Sequence, residues 1–110
     1  MDPKFKVIIS LIFPSILFIA AAIPLVLQKV PPNGLYGFRL RKTFSDKDIW
    51  YKANRFGGIA VLAAGAVSLI GCLILFLHKE ALSFWTIKDI GLGLLVVPVA
   101  VAIGMTLLYI

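Results

Sequence analysis

The side chains able to do chemistry are few, and most of them crowd into one stretch. Between Gln28 and Gly58 stand seven of the eleven Lys and Arg residues: Lys29, Arg39, Arg41, Lys42, Lys47, Lys52 and Arg55. Arg39, Arg41 and Lys42 follow Tyr36-Gly37-Phe38, so cations alternate with aromatic and apolar side chains. A guanidinium presents a planar fork of donors that fits a phosphate or carboxylate, and Gly37 lets a backbone approach closely. That is recognition chemistry. A plainer reading competes with it. The cation bias of membrane loops accounts for Arg41, Lys42 and Lys47, whereas Arg39 and Arg55 stay open to either reading. Arg55 lies one residue before an apolar run, where an unpartnered guanidinium is costly to bury. Asn33, Asn54 and a lipid phosphate are its candidate partners.

Catalytic chemistry is poorly provided for. Ser10, Ser15, Ser68 and Thr106 lie in apolar runs that hold no His or Lys to activate a hydroxyl. Asp46 and Asp48 resemble a carboxylate pair, but their place at a helix start explains them better. Cys72 and His78 are the only soft ligands, too few for a structural zinc site. The lone cysteine also excludes an intramolecular disulfide. The expectation is a protein that is not an enzyme, with no catalytic residue, no metal and no cofactor.

The elements that must hold these residues are membrane helices. With 61% hydrophobic and 15% charged residues, the chain departs from globular composition, which runs to about 45–50% apolar and ~25% charged. Mean hydropathy is +1.03. Uncharged runs cover Val7–Leu27, Phe56–Leu77 and Ile90–Ile110, which are 21, 22 and 21 residues long. A helix needs roughly 20 such residues to cross a ~30 Å hydrocarbon core. The expected fold is therefore an all-α integral membrane protein with three transmembrane helices, at 7–27, 56–77 and 90–110, in a single membrane domain. Ser45 as N-cap and Asp48 in the first turn start a further helix. Ile49, Trp50, Ala53 and Phe56 then recur at helical spacing, which predicts a short interfacial amphipathic helix within 28–55. It either lies on the membrane or runs into the second span, with Gly57-Gly58 as hinge or close-packing point.

Further expectations concern packing. Pro14 and Pro24 each remove a backbone donor from the first span, and Ser10 and Ser15 are candidates to satisfy the freed carbonyls. Ala60, Ala64, Ser68 and Cys72 form a small-residue ridge at a spacing of four, and Ala100 and Gly104 repeat that spacing in the third span. These faces are expected to pack within one molecule, with a homo-oligomer as the alternative. Phe84, Trp85, Trp50, Tyr51 and Tyr109 read as interfacial anchors.

Lys4, Lys6, the following apolar run and Ala20-Ala21-Ala22 imitate a signal peptide. The run is long for that purpose and Pro14 interrupts it, so a retained first span is expected. The loop side carries seven cations and the opposite side four, namely Lys4, Lys6, Lys79 and Lys88. Positive-inside bias then places the long loop and the C-terminus in the cytoplasm. The formal charge of +6 points to anionic headgroups of the bilayer rather than to direct nucleic-acid binding, since no nucleic-acid-binding fold fits in this loop.

The loop also carries an ordered signature: Val30-Pro31-Pro32-Asn33, Tyr36-Gly37-Phe38-Arg39, Thr43, Ser45, Ile49-Trp50-Tyr51-Lys52-Ala53-Asn54-Arg55 and Gly57-Gly58. It closely resembles the SdpI family pattern G-[IF]-R-x-x-x-T-x-S-x-x-x-W-x-x-x-[HN]-R-x-x-G, which joins two transmembrane helices. The resemblance covers the central part of the chain. It implies a non-enzymatic, multi-pass protein of the bacterial cytoplasmic (inner) membrane. The family's namesake confers immunity to a secreted toxic peptide and signals by holding a transcriptional repressor at the membrane. The implied partners are thus a toxin peptide or a repressor protein. The implied binding residues are Asn33, Tyr36, Gly37, Arg39, Thr43, Ser45, Trp50, Asn54, Arg55 and Gly58. Two departures stand out. Leu40-Arg41 replaces the usual Thr-Pro after the motif Arg, and the namesake has an additional N-terminal membrane half. The alternatives are a small oligomeric transporter, which the lack of ionisable residues in the spans disfavours, and a lipid-binding membrane subunit.

Overall fold

The computed structural model describes residues 2–110. Its elements are α1 (Pro3–Val26), α2 (Arg41–Phe44), α3 (Lys47–Leu77), a single 3-10 turn at Lys79–Ala81, and α4 (Phe84–Tyr109). The protein is all-α among the described residues, and α1, α3 and α4 are each long and apolar enough to cross a membrane. The molecule extends 52 × 22 × 19 Å, so its long axis exceeds the ~30 Å hydrocarbon core.

Local chemistry sets the helix ends. Asp2 caps α1 by accepting the Lys4 N–H at 3.0 Å, and Pro3 stands in the first turn, where its missing N–H costs nothing. At the other end Lys29 N donates to Pro24 O at 3.0 Å and Gln28 N to Leu25 O at 3.1 Å. This is a Schellman closure, in which the left-handed position normally falls to glycine. Here Gln28 holds it at φ 58°. The serines do not serve the freed proline carbonyls: Ser10 Oγ donates to Lys6 O at 2.7 Å and Ser15 Oγ to Leu11 O at 2.9 Å. Each hydroxyl instead bonds back one turn along its own helix, the local option always open to serine.

Helix α3 packs against both of its neighbours. Gly58 and Gly65 let α1 come close: a Cβ on Gly65 would lie 3.1 Å from Ser15 O, and one on Gly58 would lie 3.1 Å from Ala22 O. Toward α4, Ser68 Oγ donates to Leu94 O across the interface. Ile8, Leu11, Cys72, Leu75 and Ile87 form a buried cluster toward the connector end. The small residues of α4 behave differently from the sequence expectation. Ala100 and Gly104 point outward, with open space around Gly104. Gly91 and Ala102 are the buried small residues of α4, and Leu11 fills the space beside Gly91.

Termini and connections segregate to two ends. Lys42 Nζ donates to Ile110 O, joining the loop to the C-terminus. At the far end Lys4 Nζ donates to Lys79 O at 3.1 Å, while Lys79 pairs with Asp2 at 3.3 Å and Glu80 at 2.8 Å. The Lys4 N–H, followed by Lys79, holds the Asp2 carboxyl below its ordinary range. Glu80 and then Asp2 raise the Lys79 ammonium.

The interfacial segment takes a form the sequence left open. Residues 47–55 are the first turns of α3, continuous with the second span, and Gly57-Gly58 is helical rather than a hinge. The N-cap is Asp46, which accepts Asp48 N at 2.7 Å, and not Ser45. Ser45 lies one residue too early because α2 claims it, and its Oγ donates back to Lys42 O.

Candidate functional site: a folded loop capping one end of the bundle

The loop between α1 and α3 is ordered by its own polar side chains. Asn33 uses its full hydrogen-bonding capacity. Its Oδ1 accepts from Leu35 N at 2.8 Å and Tyr36 N at 2.7 Å, and its Nδ2 donates to Pro31 O at 2.8 Å and Tyr36 O at 3.0 Å. An asparagine can close a turn in this way because amide and carbonyl sit on one short side chain. Gly37 then adopts φ 104°, where a side chain would be strained, and a Cβ there would lie 2.7 Å from Asn54 Oδ1. The turn delivers Phe38 onto α3.

The face of α3 that receives the loop is Trp50, Ala53, Asn54 and Gly57, all buried. Asn54 Oδ1 accepts Phe38 N at 2.6 Å and its Nδ2 donates to Trp50 O at 2.9 Å. The Phe38 ring lies directly over Gly57, so a Cβ at Gly57 would come within 2.2 Å of a ring carbon. Trp50 is fully enclosed at 0% exposure, donates its indole N–H to Val30 O at 2.7 Å, and stacks on Phe44 at 5.3 Å between centroids. It is therefore a core residue and not an interfacial anchor. Burying an indole requires a partner for its N–H, and the loop carbonyl supplies one. Thr43 closes α2: its Oγ1 accepts Leu40 N and donates to Leu40 O, both at 2.8 Å. Among the described residues, no buried side-chain nitrogen or oxygen is left without a partner.

Of the residues singled out by sequence, the structure brings Gly37, Trp50 and Asn54 into contact, with Asn33 and Tyr36 in the adjoining turn. Tyr36 is half-buried, and that burial pushes its phenol up from the ordinary value. Thr43 and Ser45 bond within α2, and Gly58 faces α1. Arg39 is exposed and donates to Gly34 O across the turn. Arg55 is exposed and bonded to neither Asn33 nor Asn54, whose carboxamides bond to backbone instead. Sequence reasoning had Phe38 and Val30 in the signature but not among the site residues. The signal for Phe38 was an aromatic next to a glycine turn, facing a Gly-Gly pair in the next helix.

The cap therefore holds a fixed shape, with Lys29, Arg39, Arg41, Lys42, Lys47, Lys52 and Arg55 all on its outside. The family model of the SdpI/YfhL protein family matches residues 29–109. The chain belongs to the SdpI/YfhL protein family. The match begins at Lys29, three residues after the end of α1, and takes in α2, α3 and all of α4. No curated protein and no solved structure matches the chain. In this SdpI/YfhL member the signature residues mainly build the cap, and its cations are exposed on the outside.

Proposed function

We propose that the chain is a non-enzymatic recognition protein of the bacterial inner membrane, with the capped end facing the cytoplasm. The cap engages either a secreted toxic peptide, as an immunity protein would, or a regulator that it holds at the membrane. The observation that carries this reading is a loop made rigid by Asn33, Asn54 and Trp50, which leaves Arg39 and Arg41 outside on a fixed frame. A preorganised frame reduces the ordering cost of binding, and exposed guanidinium groups suit an acidic or carboxylate-bearing partner. Family membership supports the same reading.

The test is survival of peptide-sensitive bacteria expressing the chain and challenged with medium from peptide-producing cells. Arg39→Ala and Arg41→Ala should lose protection while the protein accumulates in the membrane at the parental level. A parental chain that gives no protection, and retains no co-expressed repressor at the membrane, would overturn the reading. Full protection by both variants would remove the outward cations from it.

A further inference from the structure

A second polar site lies beside the start of the loop, on α3 residues other than the Trp50, Asn54 and Gly57 that receive Phe38. Gln28, Lys52, Arg55, Phe56, Ile59 and Tyr109 line an open niche of about 480 Å³. It adjoins a smaller niche of about 320 Å³ that shares Gln28 and Lys52 and adds Asp48 and Tyr51. Lys52 and Arg55 are one turn apart on α3, exposed, and engaged by no carboxylate within ion-pair distance among the described residues. Arg55 is the last charge before the uncharged run that starts at Phe56, so the two cations sit at headgroup depth. Below them Phe56 and Tyr109 stack at 4.3 Å with their planes 4° apart, and Ile59 continues the apolar wall. The niche thus has a cationic rim above and an apolar floor open to lipid.

Gln28 supplies an independent observation. It occupies the left-handed position of the α1 closure, which glycine fills without strain. A strained non-glycine residue at the rim of a cationic niche points to a use for its side chain. The carboxamide gives the rim a neutral donor beside two charges.

We propose that Gln28, Lys52 and Arg55, with Phe56, Ile59 and Tyr109, form a binding site for the phosphate headgroup of an anionic phospholipid. The guanidinium and ammonium take the phosphate oxygens, and Gln28 donates to the phosphate or the glycerol. The first acyl carbons lie along Phe56 and Ile59. Asp48 bounds the smaller niche and sets an upper limit on how much negative charge the rim accepts. The site uses neither Arg39 nor Arg41, so it does not depend on the peptide or regulator reading.

The full chain, reconstituted in phosphatidylcholine bilayers, tests this with spin-labelled lipids. Phosphatidylglycerol should associate more strongly than phosphatidylcholine, and the double variant Lys52→Ala/Arg55→Ala should lose roughly fivefold or more of that preference. Arg41→Ala/Lys47→Ala removes the same charge from the same end and should keep it. Gln28→Gly should weaken the preference while raising the melting temperature, which separates a ligand role from a folding role. Equal loss in both double variants would overturn the site in favour of diffuse surface charge. Displacement of the labelled lipid by millimolar inorganic phosphate would overturn the lipid as occupant.

Discussion

Asn54 is a polar residue on an otherwise apolar helix face, and the loop depends on it. Its carboxamide reads the loop through Phe38 N and its own helix through Trp50 O, at 2% exposure. Removing one partner from a buried pair exposes the full desolvation penalty of the other. Asn54→Ala should therefore lower stability by about 1–3 kcal/mol, read as thermal unfolding in detergent. Protease cleavage within residues 28–46 should rise with it. Asn54→Asp keeps an acceptor for Phe38 N but loses the donor and buries a charge, so it should be at least as damaging. A variant as stable as the parent would mean that the Phe38 contact contributes nothing. The spacing of Asn54 in the signature was legible in the sequence, whereas its role was not. An asparagine between two cations reads equally well as a binding group, and only the arrival of Phe38 from a distant position assigns it to the fold. Trp50 was misplaced for the same reason: an aromatic among charges next to an apolar run reads as an interfacial anchor, while its partner is a carbonyl twenty residues earlier.

Helix α3 runs for 31 residues without a break. At 1.5 Å per residue it is about 46 Å long, well beyond a ~30 Å core. Its first turns carry Lys47, Asp48, Lys52 and Arg55 and form the post on which the loop folds. Uncharged runs were enough to locate three spans, because charge is excluded from lipid whatever the tertiary contacts. Whether Gly57-Gly58 bends or packs was beyond such reasoning, since a glycine pair suits both and its partners lie in other elements. Phe38 over Gly57, and Leu25 with Ala22 beside Gly58, decide for packing. Gly57→Ala forces the Phe38 ring aside and should cost about 1–3 kcal/mol. Combined with Phe38→Ala the cost should be largely relieved, with a coupling of about 0.5–3 kcal/mol in a double-mutant cycle. Additive effects in that cycle would mean that ring and glycine do not act as a unit.

The whole molecule has two ends of different character. The capped end gathers seven cations and the C-terminus, and the other end gathers four cations, the N-terminal turn and the Lys79 cluster. That asymmetry predicts that a fluorescent reporter fused to the C-terminus is active in the cytoplasm, and that a phosphatase fused to the N-terminus is active outside. A phosphatase active only at the C-terminus would reverse the assignment. The pairing of ends followed from counting spans, while the contacts that join them did not, because Lys42 and Ile110 are 68 residues apart. The ends also differ in their tryptophans. Trp50 is sealed at 0% exposure beneath the loop, whereas Trp85 is 66% exposed near the opposite end. Brominated acyl chains should quench the emission of Trp85 and spare that of Trp50. In a Trp85→Phe background the remaining fluorescence would come from the cap alone, so the chain carries its own optical gauge of whether the loop is closed.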